Sequence, residues 1–382
     1  MSAPSLYLDA NATEPLRPEA REAVLAALAL TGNPSSIHAD GRAARQVLEQ
    51  ARATIATRFG GRARDLVFTA GATEANALAL HGLGAGRRIL AGATEHPAIL
   101  RAGRAVETLP VLPDGTLDLA ALEAALAMGG PALVCLMAAN NETGVLHPLA
   151  AAAALCRAHG ALLHVDAVQA AGRLSVTLED FGADSLALSA HKLGGPKGAG
   201  ALLLRPGLDL PALLPGGGQE RGRRGGTEAL PAIAGFAAAV AALDPAEAPR
   251  LAALRDAIEA GAGLPVAGGA APRLPNTSCL ILPGVAAETQ VIALDLAGVR
   301  VSSGAACSSG KVGPSPVLRA MGLGGDAACA IRVSLPWNAP PDAAARFLAA
   351  HAEMRARLLR RQPQAAVSMP PVSGSGAPVV PG

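Results

Sequence analysis

Hydrophobic positions along this chain fall into two alternating rhythms. Short apolar runs at residues 65–69, 88–91, 132–137, 162–165 and 184–190 have the length and content of buried strands. Between them, longer stretches carry apolar residues at helical spacing. Residues 17–30 predict a helix, with Pro18 suited to its first turn and Gly32-Asn33-Pro34 ending it. Residues 42–59 predict a second, amphipathic helix whose Arg/Gln/Glu face reads as solvated, and residues 5–9 a short initial strand. Strand alternating with helix predicts an α/β architecture.

A polar cluster follows each strand. Ala70-Gly71-Ala72-Thr73-Glu74-Ala75-Asn76 follows the first, and Gly92-Ala93-Thr94-Glu95-His96-Pro97 the second. The later clusters contain Asn140-Asn141-Glu142, Asp166-Ala167-Val168-Gln169 and Ser189-Ala190-His191-Lys192. In open α/β sheets, ligands bind beyond the carboxyl ends of the strands. Glycine followed by a helix starting at Thr73 and Glu74 suits an anion, because free amides and the helix dipole face it; a simple N-cap explains the same residues.

Beyond residue 249 the rhythm changes. Strands are predicted at 278–282, 299–302 and 329–334, with a helix at 287–297, as in a smaller α+β domain. Residues 244–249, with two prolines, read as a domain boundary. Residues 215–227, rich in Gly and Arg, read as a flexible basic loop, either a solvated linker or a phosphate or subunit contact. Residues 362–382 carry no charge and read as a disordered tail. The expected division is a large domain over 16–245, a small one from 1–15 and 246–361, and the tail.

Composition narrows the partners. Lys+Arg 32 against Asp+Glu 30 leaves no excess of charge for nucleic acid. Five cysteines, odd in number and without a CxxC pair, argue against a disulfide framework or a zinc site, so no metal ligands are expected. The start lacks a signal-peptide pattern, and the longest near-apolar stretch, 229–243, is too short for a bilayer and carries Pro231. No membrane contact is expected, and the expected compartment is cytoplasmic.

Two residues carry candidate chemistry. Lys192 ends an apolar strand and precedes Gly194, Gly195, Gly198 and Gly200. A lysine that loses hydration there becomes a neutral nucleophile near pH 7, as Schiff-base chemistry requires. Cys307 lies in Ser302-Ser-Gly-Ala-Ala-Cys-Ser-Ser-Gly310, a setting of small residues unlike a core, whereas Cys135 and Cys156 sit in apolar strand and helix patterns.

The ordered motifs GNPSSIH (32–38), GATEAN (71–76), TEHPAI (94–99), NNETG (140–144), HVDAVQ (164–169), SAHKLGGPKG (189–198), GGGQERGRRGGT (216–227), SSGAACSSG (302–310) and IRVSL (331–335) together resemble the cysteine desulfurases. These are fold-type I, pyridoxal phosphate (PLP) enzymes of the class V aminotransferase family. The resemblance runs from Tyr7 to about Leu335. It implies a large domain with a mostly parallel seven-stranded sheet and a smaller α+β domain.

It also implies roles. Lys192 would hold PLP and move the substrate's α-proton, Asp166 would keep the ring nitrogen protonated, and His96 would stack on the ring and assist proton transfer. Asn141 and Gln169 are expected near the ring hydroxyl. Ala72, Thr73, Ser189 and His191 would bind the phosphate, with Thr227 supplied by the partner of a homodimer. Arg332, assisted by Asn33, would grip the carboxylate of L-cysteine. Cys307 would take the sulfur as a persulfide and pass it to an acceptor or iron–sulfur scaffold protein, meeting a cluster only transiently. A selenocysteine lyase or an aminotransferase of the same family is the alternative. Glu14 departs from the pattern, which has a threonine there; the spacing beyond Cys307 resembles the group with a mobile catalytic cysteine.

Overall fold

The computed structural model describes residues 5–304 and 314–359, so Cys307 and the tail 362–382 lie outside the described residues. A seven-stranded sheet forms the larger layer. From edge to edge its strands are Leu66–Thr69, Gly200–Leu204, Ser185–Ser189, Leu162–Asp166, Ala132–Met137, Arg88–Gly92 and Glu107–Leu109. Only Gly200–Leu204 runs against its neighbours; the other pairings are parallel. The central strands are buried throughout and read as near-continuous Leu/Val/Ala runs, because helices cover both faces.

On one face, Phe59, Leu136, Leu186 and Phe236 belong to the largest apolar cluster. On the other, Leu78, Leu80, Leu133 and Leu202 form a second. With few aromatic residues, close approach replaces bulk. A Cβ on Gly235 would lie 2.6 Å from Val24 Cγ2, so helices Pro18–Leu28 and Leu230–Ala241 pack tightly only because this residue is glycine.

A second core, with Leu8, Ile258, Leu294, Val333 and Phe347, lies beside a three-stranded antiparallel sheet of Ser302–Ser303, Ala330–Ser334 and Thr277–Ile281. The single strand expected at 299–302 is divided. Val299–Arg300 pairs in parallel with Leu6–Tyr7, whereas Ser302–Ser303 pairs with Arg332 and Ile331. The buried Val301 lies at the junction and packs in this core. No helix among the described residues is long and apolar enough to cross a membrane.

Two readings are corrected. The helix expected at 42–59 spans Ala39–Arg58, capped by His38, and its polar face is not wholly solvated. Arg52 is buried and forms a two-pronged pair with Glu220, 2.7 Å at each nitrogen. Glu220 therefore pins the supposed flexible loop to the sheet, and also accepts from the Phe68 amide at 2.8 Å. Glu220 and Arg221 adopt φ of 49° and 58°, a left-handed conformation that non-glycine residues rarely hold unless the surroundings impose it.

Gly200 sits where the reversed strand meets the turn before helix Ala72–Gly82. A Cβ there would lie 2.6 Å from Gly71 backbone and 2.8 Å from Leu188 O, and backbone cannot swing away. Gly200→Ala is expected to cost about 1–3 kcal/mol by overpacking. Thermal unfolding would measure it, and an unchanged melting temperature would mean that the turn yields freely.

Candidate active site

The carboxyl ends of the strands open on a cleft of 820 Å³. Ala72 and Thr73 line it from the first turn of helix Ala72–Gly82, and His96 from the loop after Arg88–Gly92. Asn141, Asp166 and Gln169 come from the next two strand ends, and Ser189, His191 and Lys192 from the last. These nominated residues, drawn from well-separated parts of the chain, thus share one cavity.

Asp166 is held from behind. Its Oδ2 accepts from Asn76 Nδ2 at 2.7 Å and its Oδ1 from the Val168 amide at 3.0 Å. Asn76 Oδ1 lies 2.9 Å from His164 Nε2, and His164 Nδ1 lies 2.8 Å from Ser185 Oγ. An amide oxygen only accepts, so His164 carries its proton on Nε2 and takes the Ser185 hydroxyl proton on Nδ1. Burial lowers the His164 pKa to about 4, which keeps this chain of bonds neutral up to the carboxylate.

His96 caps helix Pro97–Leu100: the Ala98 amide donates to its Nδ1 at 3.1 Å. The neutral ring then bears its proton on Nε2. Burial lowers its pKa, against the pull of Asp166 and with a contribution from Lys192. Burial also takes His191 down to about 4, helped by the cations Lys192 and Lys197.

Lys192 Nζ donates to Asn11 O at 2.5 Å and to Ala12 O at 3.0 Å. Asn11 O also accepts from Gln169 Nε2 at 3.0 Å. Asn11 and Asn76 had no role in the sequence reading. Asn76 stood within GATEAN, where its spacing from Thr73 on a helix was the available signal; nothing local marks Asn11.

Other nominated residues lie elsewhere. Arg332 is buried and does not line the cleft. Its Nη2 donates to Asp9 Oδ1 at 2.6 Å and its Nη1 to Asn141 O at 3.1 Å, which leaves Nε without a partner among the described residues. It touches the cleft wall through the backbone of Asn141. Asn33 is exposed and uses its Oδ1 to accept from the Ser35 amide at 2.8 Å. Thr227 is exposed on its loop and outside the cavity of its own chain. Cys307 lies outside the described residues.

Glu142 touches both flanks of the segment that contains Cys307. Its Oε2 accepts from Ser315 Oγ at 2.5 Å, and the Cα side of Gly304 approaches it so closely that a Cβ would lie 2.7 Å away. Ser315 in turn caps helix Pro316–Ala320.

The residues present fit a pyridoxal phosphate group. Helix Ala72–Gly82 begins at the cleft with a glycine N-cap and no side-chain cap, so its first amides face the cavity as an anion site. A Cβ at Gly71 would meet nothing within 4 Å, and the cleft stays open there. Lys192 supplies an amine, and Asp166 a carboxylate with one edge secured.

Comparison with known proteins agrees. Residues 6–344 match the family model described as Aminotransferase class-V. The cysteine desulfurase of Cereibacter sphaeroides is 44% identical over 350 residues, 86% of this chain and 90% of that protein. The NifS-like protein from Rickettsia africae superposes with a TM-score of 0.85 at 32% identity, covering 92% of this chain and 99% of that one. SspA in complex with cysteine superposes with a TM-score of 0.76 at 28% identity, over 87% and 99%. The chain belongs to the class-V aminotransferase family. Its fold is that of the family's PLP-dependent enzymes, as the motifs implied.

Burial raises the Glu142 pKa from 4.5 to about 7, against the hydroxyl of Ser315 and the charge of Arg332. The folded state therefore holds this proton more tightly than the unfolded one. Its contribution is fully present below about 4.5 and is lost as pH rises through about 7. Glu142→Gln should gain stability relative to wild type as pH rises across that window, on the order of 2–3 kcal/mol. Paired denaturation curves measure this, and a constant difference would mean that Glu142 titrates normally.

Proposed function

We propose that this protein is a PLP-dependent cysteine desulfurase that removes sulfur from L-cysteine, releases L-alanine and carries the sulfur as a persulfide on Cys307. The observation that carries the reading is the convergence of Lys192, Asp166 and an uncapped helix N-terminus on one cleft, in a chain whose relatives are cysteine desulfurases. The Cys307 segment, read from sequence, favours desulfuration over transamination.

When bound, PLP supplies an electron sink for negative charge that develops on the substrate's α-carbon. The remaining work falls to the protein. The amides of Ala72 and Thr73, with Ser189 and His191, hold the phosphate at the positive end of the helix. Asp166, already aligned by Asn76 and the Val168 amide, keeps a proton on the ring nitrogen. Asn141 and Gln169 present polar groups to the ring's hydroxyl. Lys192 Nζ holds the cofactor and moves the α-proton.

His96, neutral with its proton on Nε2, is arranged to stack and to donate rather than to abstract. Arg332 binds the carboxylate of L-cysteine, with Asn33 assisting; Nε is a donor that its present partners leave open. The Cys307 thiolate attacks the substrate sulfur. The carbon–sulfur bond breaks, an S–S bond forms, and the amino acid leaves as alanine after protonation. Thr227, outside the cleft of its own chain, serves the site of a second copy in a homodimer. A scaffold or carrier protein accepts the sulfur. The two separate cores support a large domain over 16–245 and a small one from 1–15 and 246–361.

Protein purified with PLP should release alanine and sulfide in equal amounts from L-cysteine and a reductant. Cys307→Ala should abolish both yet keep the absorbance of bound PLP. Continued sulfide release by that variant would sink the role of Cys307, and wild type without PLP absorbance would sink the role of Lys192.

A further inference from the structure

Glu14, the residue that departs from the family pattern, is buried behind the cleft, next in sequence to Thr13, which lines it. Its carboxylate Oε1 accepts from Arg173 Nη2 at 3.2 Å, and its Oε2 from the Trp337 amide at 3.2 Å. Arg173 is itself buried, and Nη2 also donates to Ala10 O at 3.3 Å. From Nη1 it donates to the backbone oxygen and to the side-chain Oε1 of Gln169, both at 2.9 Å. Gln169 Nε2 then donates to Asn11 O, the oxygen that also accepts from Lys192.

These bonds allow one orientation of the Gln169 amide. A guanidinium only donates and a backbone carbonyl only accepts. Rotating the amide by half a turn would set NH₂ against the guanidinium and oxygen against Asn11 O. The cation on Oε1 also polarises the amide, since hydrogen bonds in series strengthen one another, so Nε2 becomes a better donor to an anionic oxygen.

We infer that Arg173, held in place by Glu14, is a positioning residue that fixes Gln169 with its Nε2 donor on Asn11 O, the oxygen it shares with Lys192, and strengthens that donor for the ionised ring hydroxyl of the cofactor. The inference rests on the proposed PLP site. Burial moves the Glu14 carboxyl up to about 7 although Arg173 opposes the shift, so the experiment belongs at pH 8, where the pair is ionised.

The test uses full-length protein, titrated with PLP after removal of cofactor. Its readouts are the dissociation constant and the absorbance maximum of the bound form. Removing one member alone would bury an unpaired charge, so the principal variant is the double change Glu14→Gln with Arg173→Met. It should bind PLP roughly tenfold more weakly than wild type, the loss expected for a hydrogen bond to a charged group. Its absorbance should shift in the direction seen in Gln169→Leu, and adding Gln169→Leu to it should change little further. Arg173→Lys, which keeps the charge but lacks the fork, should shift the absorbance the same way by less. Wild-type affinity and spectrum in both variants would overturn the inference and leave the PLP site standing. Effects of the double change and of Gln169→Leu that simply add would also overturn it. Wild type that binds no PLP would overturn the site and the inference together.

Discussion

One buried asparagine joins the two larger sheets of this protein. The Asn11 amide N–H donates to Ser334 Oγ at 3.0 Å, and its side-chain Nδ2 to Thr277 Oγ1 at 2.9 Å, both on the three-stranded sheet. Nδ2 also reaches Asn141 O at 3.0 Å, beyond a strand of the large sheet. Its own carbonyl oxygen accepts from Lys192 and Gln169. An unmet polar group in such a place costs about 1–3 kcal/mol, so the segments that satisfy Asn11 are held in one arrangement. The position of the lysine in the cleft follows from where the small sheet lies.

The cleft combines donors for an anion with carboxyls kept under control. Helix Ala72–Gly82 and the cations Lys192 and Lys197 favour negative charge at one end. Asp166 is an acceptor whose partners are all donors. Glu95, beside His96 in sequence, is buried with Oε1 on the Met137 amide at 2.6 Å and, among the described residues, no partner for Oε2; burial pushes its pKa well up. A carboxyl so placed holds its proton more tightly than one in water, which disfavours a second negative charge near Asp166. Glu74, at the mouth, is paired with Arg224 at 2.9 Å. Negative charge is thus placed at Asp166 and muted around it, which suits a site for an anionic cofactor.

Arg332 shows how the two layers cooperate. It stands on a strand of the small sheet, opposite Ser302 and so close in the fold to the segment that leads toward Cys307. It spans to Asn141, beyond a strand of the large sheet, and to Asp9, two residues before Asn11. A guanidinium with two partners and a spare donor is well suited to exchange one anionic partner for another without losing its place.

Local pattern alone determined a good deal. Strand 132–137 appeared as an uninterrupted apolar run and 184–190 as a mainly apolar one because both faces of a covered sheet are dry, and the structure has them at Ala132–Met137 and Ser185–Ser189. The polar clusters after the strands stood out because a chain leaving such a sheet must turn at its edge, and His96, Asp166 and Lys192 meet in one cleft for that reason. What the pattern misread were polar side chains whose partners are far away along the chain. Arg52 looked solvated on its helix until Glu220, 168 residues on, closed over it. Asn11, Asn76 and Arg173 carry no periodic signal, because hydrophobic spacing reports which face is dry and not which polar group is satisfied there. Hydrogen bonds across 158 residues, such as Gln169 to Asn11, exist only once the chain has folded, so tertiary structure alone decided how the lysine and its neighbours are aimed.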